Sequence, residues 1–174
     1  VPFAAESALS GVMKRVGENN RLWYRRSFKV PENWQGERLL LHFDAVDWQC
    51  DVFFNGEELG SHQGGYSRFS FDVTDALHKS GTQELVVSVW DPTDTHWQTH
   101  GKQVNDPKGI MYTPVTGIWQ SVWMEPVKTA HIQSLRIVPD VDQHRVQVTA
   151  LTQLPKGKAG PAPPYRVTLT AKGN

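Results

Sequence analysis

The 174 residues carry eighteen Lys and Arg against eighteen Asp and Glu, so no broad field of one sign draws the chain to nucleic acid or to an anionic membrane. That length makes one generous domain, or one domain with part of a second, and is enough to bury a core. The single cysteine, Cys50, excludes an internal disulfide and a thiolate metal framework, the longest apolar runs fall far short of a bilayer span, and no charged-then-apolar leader opens the chain.

The expectation is a soluble piece with neutral partners, in cytoplasm or periplasm. Along it, the apolar period is two almost everywhere. Leu22, Tyr24, Phe28 and Val30 alternate with Arg25 and Lys29; Leu39, Leu41 and Phe43 follow, and then Val52 and Phe54. Asn55-Gly56 is the pair that a two-residue turn with both central residues at positive φ demands, so residues 50 to 62 read as a hairpin. Cys50, inside that pattern, reads as a small buried hydrophobe. Phe69, Phe71 and Val73 make another strand, after which Asp72 or Thr74 is placed to cap one helical turn closed by Gly81. Leu85, Val87 and Val89 alternate again. From 91 to 114 alternation stops among prolines, glycines and ring-bearing residues, which marks a long loop; a loop of this length in a compact domain is uncommon unless it does something. Regularity returns with Ile118, Val122 and Met124 opposite Trp119, Ser121 and Trp123, read as one central strand with large apolar groups on both faces. Trp119 and Trp123, at i and i+4, then share a face.

Past Pro126 three further strands are expected, at Leu135 and Ile137, at Val146 and Val148, and at Val167 and Leu169, separated by "PDVDQH" and by the proline and glycine linker "PKGKAGPAPP". Three strands with one apolar face each do not close a sandwich alone. The predicted architecture is therefore all-β, with a β-sandwich over 1–127 and a partial second β domain over 128–174.

Several strings together resemble glycoside hydrolase family 2, the family of bacterial β-galactosidases, β-glucuronidases and β-mannosidases. They are Trp23-Tyr24-Arg25-Arg26, Phe43-Asp44-Ala45-Val46, Asn55-Gly56, Gly64-Gly65-Tyr66 and Thr116-Gly117-Ile118-Trp119. The resemblance covers residues 1 to 127, or about three-quarters of the chain, and the ordered series is far more specific than any one string. It implies an amino-terminal, galactose-binding-domain-like jelly roll, and "HIQSLRIVPD" is similar to the start of the immunoglobulin-like domain that follows in that family. It also implies a larger enzyme, in which two glutamates on a downstream TIM barrel carry out retaining hydrolysis. A barrel needs about 250 residues, so none fits here. No catalytic residue is expected in this chain: Glu57 and Glu58 flank a turn as a solvated edge, and Ser10 and Ser61 lack triad partners.

Candidate sugar contacts come from the long loop. Trp97, Gln98, His100, Lys102 and Gln103 supply an apolar stacking plate and hydrogen-bonding groups suited to a pyranose, and Tyr112 stands beside them. His96 and His100, four apart, would face a metal together only on a helix, which Gly101 and the prolines oppose; no metal or cofactor is expected. Some β-galactosidases of the family add an Asn just ahead of the first strand, matched here by Asn19, and an Asp six residues before the Gly-Ile-aromatic triplet. Position 111 is methionine instead, with Asp106 five residues upstream, a departure that leaves galactose specificity open. What the resemblance implies is a non-catalytic sugar-binding domain that lends loop contacts to a β-glycoside held by its own downstream barrel, in a periplasmic or secreted enzyme, with a cytoplasmic one also allowed. The rival readings are an independent carbohydrate-binding module and a purely structural interface domain.

Overall fold

The computed structural model describes residues 1–155, 165–170 and 172, which divide into two compact units, Val1–Lys128 and Thr129–Asn174. The first is a β-sandwich. One antiparallel sheet runs β1 (Leu22–Phe28), β7 (Gln83–Trp90), β4 (Gln49–Phe54) and β5 (Glu57–Gln63); a second runs β6 (Phe69–Asp72), β2 (Arg38–Phe43) and β9 (Val122–Val127). A short ladder joins β3 (Val46–Asp47) to β8 (Gly117–Ile118). Three single 3-10 turns supply the only helical geometry among the described residues.

The alternation of side chains dictates which residues meet. Leu39, Leu41 and Phe43 of β2, Cys50, Val52 and Phe54 of β4, and Leu85, Val87 and Val89 of β7 form one buried cluster, while the residues between them on β2 and β4 lie on the other face and are half-buried. Each large side chain removed from water contributes about 1.5–3 kcal/mol, so the cluster dominates the favourable side of folding. Trp34 packs against its edge. Burial pushes the Cys50 thiol up to about 12, which leaves it protonated and unreactive at neutral pH. The hairpin is as expected: β4 and β5 meet across Asn55 (φ 52°) and Gly56 (φ 85°), the left-handed pair that a tight turn requires. The helical turn is shorter than expected: it spans Thr74–Ala76, starts at Val73 without a side-chain cap and ends at Leu77 rather than Gly81, while Asp72 Oδ1 accepts from Thr74 N at 3.0 Å just ahead of it.

Three local expectations are corrected. The strand expected to run from 118 to 124 is broken in two, because its partner bends: after Phe43 the chain turns through Asp44 and Ala45 into β3, so β8 pairs with β3 while β9 pairs with β2. β9 is consequently an edge strand, and the two tryptophans have separate neighbours, Trp119 edge-on to Tyr66 at 6.1 Å and Trp123 stacked on His42 at 4.0 Å. Arg25 and Arg26 are both exposed; Arg25 pairs with Glu84, and Asp44 pairs with Arg68.

The second unit is a hairpin of β10 (His131–Asp140) and β11 (Arg145–Gln153). Its turn is held by Asp140, which accepts from Gln143 N at 3.1 Å and pairs with Arg145 at 3.0 Å. The strand expected at Val167 and Leu169 is not formed: residues 165–170 carry no ladder and both side chains are exposed. The ribbon leaves Leu135, Ile137, Val146 and Leu151 in solvent, and two strands alone close no core that would hold a third in place. Most of the "PKGKAGPAPP" linker lies outside the described residues.

Candidate functional site

The irregular stretch 91–116 leaves the sandwich at the end of β7 and returns at β8, and it is tied down from both ends. Asp91 is buried; its Oδ1 accepts from Thr93 N at 2.8 Å and its Oδ2 from Thr116 Oγ1 at 3.1 Å, so the first and last turns of the loop share one carboxyl group. Gln98 is turned inward, 5% exposed, and donates from Nε2 to Thr93 O at 2.6 Å. Asp94 Oδ1 accepts from both the backbone and the side chain of Asn105, and Arg15 donates to Asn105 O.

Gln103 forms the centre of the loop. Its Nε2 donates to Asp47 Oδ2 at 3.0 Å and to the Tyr66 hydroxyl at 3.3 Å, and its Oε1 accepts from Val115 N at 2.6 Å. His100 donates from Nδ1 to Gln103 O at 2.9 Å, and Tyr112 N donates to Lys102 O at 2.8 Å. These bonds replace a sheet ladder and satisfy backbone groups that would otherwise be orphaned.

What the loop leaves outside is the other half of the arrangement. Trp97 is 89% exposed and meets Trp48 edge-on at 6.2 Å. Trp48 in turn meets Trp90 at 6.4 Å, and Trp90 meets His96 at 5.4 Å. Tyr112 is exposed, with Lys102 Nζ 5.8 Å from its ring centroid. Asn19 is exposed on the rim of an open depression of about 520 Å³ shared with Glu18, Asn20, Arg21, Gln49 and Trp90. Trp90 Nε1 closes one side by donating to Glu18 O at 2.6 Å. Asp106 is exposed and pairs with Lys108 at 2.9 Å, and Met111 is partly buried. A larger groove of about 790 Å³ lies among Lys29, Trp34, Asp75, His78 and Lys79. It sits at the opposite end of the β1–β7 pair, because β1 runs from the loop end toward it and β7 runs back.

Of the eight residues singled out from sequence, Trp97, Lys102, Asp106, Tyr112 and Asn19 present themselves to solvent, while Gln98, His100 and Gln103 spend their side chains inside the loop. Beneath them lies a group that sequence reading missed: Asp47, 3% exposed, beside Asp91 and Glu6. Burial pushes the Asp47 carboxyl up to about 7, and the negative charges of Asp91 and Glu6 act in the same direction, against the Gln103 hydrogen bond and His100. Burial likewise raises Asp91. The signal was present in the chain: Asp47 and Asp91 each close an alternating apolar run at an inward position, where an acid has no ordinary business. Gly65 packs flush on this carboxyl; a methyl group there would lie 2.3 Å from Asp47 Oδ1. Among the described residues no His, Cys, Asp and Glu are grouped to hold a metal ion.

A sandwich with a loop-bearing end of this form is a galactose-binding-domain-like fold, and comparison with known proteins agrees. Residues 5–121 match the family model described as glycosyl hydrolase 2 galactose-binding domain-like, and the chain belongs to that family. It is 33% identical over 140 residues to a β-galactosidase of Thermoanaerobacter pseudethanolicus, an alignment covering 78% of this chain and 18% of the relative. The crystal structure of Bacteroides uniformis β-glucuronidase superposes with a TM-score of 0.52 at 27% identity, covering 65% of this chain and 12% of that one. A β-glycosidase of Bacteroides vulgatus, at 21% identity and TM-score 0.59 over 79% of this chain and 17% of its own, shares the fold. The chain thus spans under a fifth of the length of these relatives. No helix of the described residues is long and apolar enough to cross a membrane.

Proposed function

We propose that this chain is the non-catalytic sugar-contacting domain of a family 2 retaining exo-glycosidase, whose bond cleavage takes place on a downstream barrel of the same polypeptide. The observation that carries the reading is an indole, Trp97, left 89% exposed on a loop whose base is locked by buried hydrogen bonds. An exposed aromatic face costs solvation free energy, and a rigid mount lets it stack on a pyranose without further ordering. Lys102, Tyr112, Asn19 and Asp106 are the polar partners within this reading, and His100, Gln98 and Gln103 hold the platform. The partner is a β-glycoside, cleaved by two carboxyl groups that this chain does not supply.

The unit from 129 onward is, in the same reading, the opening of an immunoglobulin-like domain, supported by its paired β10 and β11 with unfilled apolar faces. A periplasmic or secreted setting suits a chain whose one thiol is buried and held protonated.

In the full-length enzyme, Trp97→Ala and Lys102→Ala should lower kcat/KM by about tenfold to a hundredfold, while the isolated 174-residue chain binds the monosaccharide product at millimolar strength or not at all. Unchanged kinetics in both variants would make the domain a structural interface instead. Micromolar binding by the isolated chain would make it an independent carbohydrate-binding module.

A further inference from the structure

Gln103 carries side-chain hydrogen bonds from the middle of the 91–116 loop to the sandwich. Gln103 reaches Asp47 Oδ2, the Tyr66 hydroxyl and Val115 N with its side chain, and its backbone is bonded to His100 in both directions. Asp47, on β3, is faced by Glu6 from the amino-terminal segment, by Asp91 from the end of β7 and by His100 from the loop itself. The turn 64–68 closes the remaining side, with Gly65 against the carboxyl oxygens and Tyr66 on Gln103. None of these facing groups is an ammonium or a guanidinium. Glu6 Oε2 accepts from Thr116 N at 3.2 Å, and its Oε1 is buried with no hydrogen-bond partner.

We propose that Gln103 is the positioning residue of the loop and that closure of the loop over Asp47 is a proton-operated latch, favoured when the Asp47 carboxyl is neutral and opposed when it ionises, because drying an ionised carboxyl beside Asp91 and Glu6 costs more than its stronger hydrogen bond from Gln103 Nε2 returns. A neutral carboxyl group keeps a carbonyl oxygen for Gln103 Nε2 and gains a hydroxyl that can serve a neighbouring acceptor. An ionised one adds a further negative charge to a dry pocket that already holds two acids, and hydration relieves this only if the loop above lifts. The sign follows from where the proton binds more tightly. Closed, the Asp47 group titrates at about 7; with the loop lifted it returns toward the ordinary aspartate value near 4. The closed-to-open ratio is therefore greatest below about pH 4, falls by as much as tenfold per unit between about 4 and 7, and is level above. The latch goes beyond the sugar-contact reading and does not rest on it: it is read without any sugar present, so either can fail while the other stands.

Hydrogen exchange at the backbone amides of Val104, Tyr112 and Val115 from pH 5 to 8, with intrinsic exchange rates divided out, measures the opening of the loop. The expected result is an opening constant that rises by roughly tenfold per unit toward pH 7 and then levels, a flat profile for Asp47→Asn, and a loop that is open and insensitive to pH in Gln103→Ala. A flat profile in the unaltered chain, or the same slope retained in Asp47→Asn, overturns the proposal. Should Asp47→Asn fail to fold, a carbon-13 NMR titration of the Asp47 carboxyl in the unaltered chain decides: a midpoint near 7 supports the latch, and one in the ordinary aspartate range overturns it.

Discussion

The 91–116 loop and the β10–β11 hairpin are opposites. The loop has almost no regular secondary structure, only an isolated bridge between Gln103 and Tyr112, yet Asp91, Gln98 and Thr116 tie its turns together through buried side-chain hydrogen bonds and Gln103 bonds it to Asp47 of the sandwich. The hairpin has a nearly complete ladder of backbone pairs, yet Leu135, Ile137, Val146 and Leu151 bury little. Regularity and anchorage are separate properties. A ladder satisfies backbone groups, but only removal of apolar surface from water, or a satisfied buried polar network, sets a segment firmly against its neighbours.

That contrast can be broken at graded strength. Phe54→Ala, at the centre of the sandwich, should cost about 3–5 kcal/mol in chemical denaturation of the first unit, and a loss below 1 kcal/mol would mean the core is not where the packing places it. Next comes pH. Because burial raises the Asp47 carboxyl to about 7, the folded state holds a proton that the unfolded chain gives up near pH 4. Stability should accordingly fall, by about 1.4 kcal/mol per unit at most, as pH rises from 4 to 7, and level off above. Asp47→Asn should remove that slope in denaturation curves recorded across the range. Gln103→Ala leaves Asp47 and Val115 N without their partner and should cost about 1–3 kcal/mol, with the loss concentrated in exchange protection of the loop. Leu135→Ser in the hairpin should stay within about 0.5 kcal/mol of the unaltered chain, because its side chain is already 55% exposed. A larger cost there would show that the hairpin packs on something after all.

Most strands could be read from the sequence because alternation and burial are the same fact seen twice: Leu39, Leu41 and Phe43 could not all be inside on any other period. Asn55-Gly56 was legible for a local reason, the φ values of a tight turn. The break between β8 and β9 was not, since it depends on a bend in a partner strand more than seventy residues earlier, at Asp44 and Ala45. For the site, the loop's extent and its exposed Trp97 could be foreseen from lost alternation and residue type. The inward turn of Gln98 and Gln103 could not, because an amide is as suited to bonding a neighbouring loop atom as to bonding a sugar. The strand expected at Val167 and Leu169 shows the reverse limit: the alternation is present, yet residues 165–170 form no ladder.

Gly117 lies against the ring of Tyr24, whose hydroxyl accepts from Ile118 N at 3.1 Å across 94 positions of chain, and Glu6 accepts from Thr116 N across 110. A polypeptide leaving the ribosome has therefore made nearly all of the first unit before its opening segment can find these partners. Such distant closure slows folding relative to local contacts, and a version cut just ahead of Thr116 would lose the clasp that joins its beginning to its end.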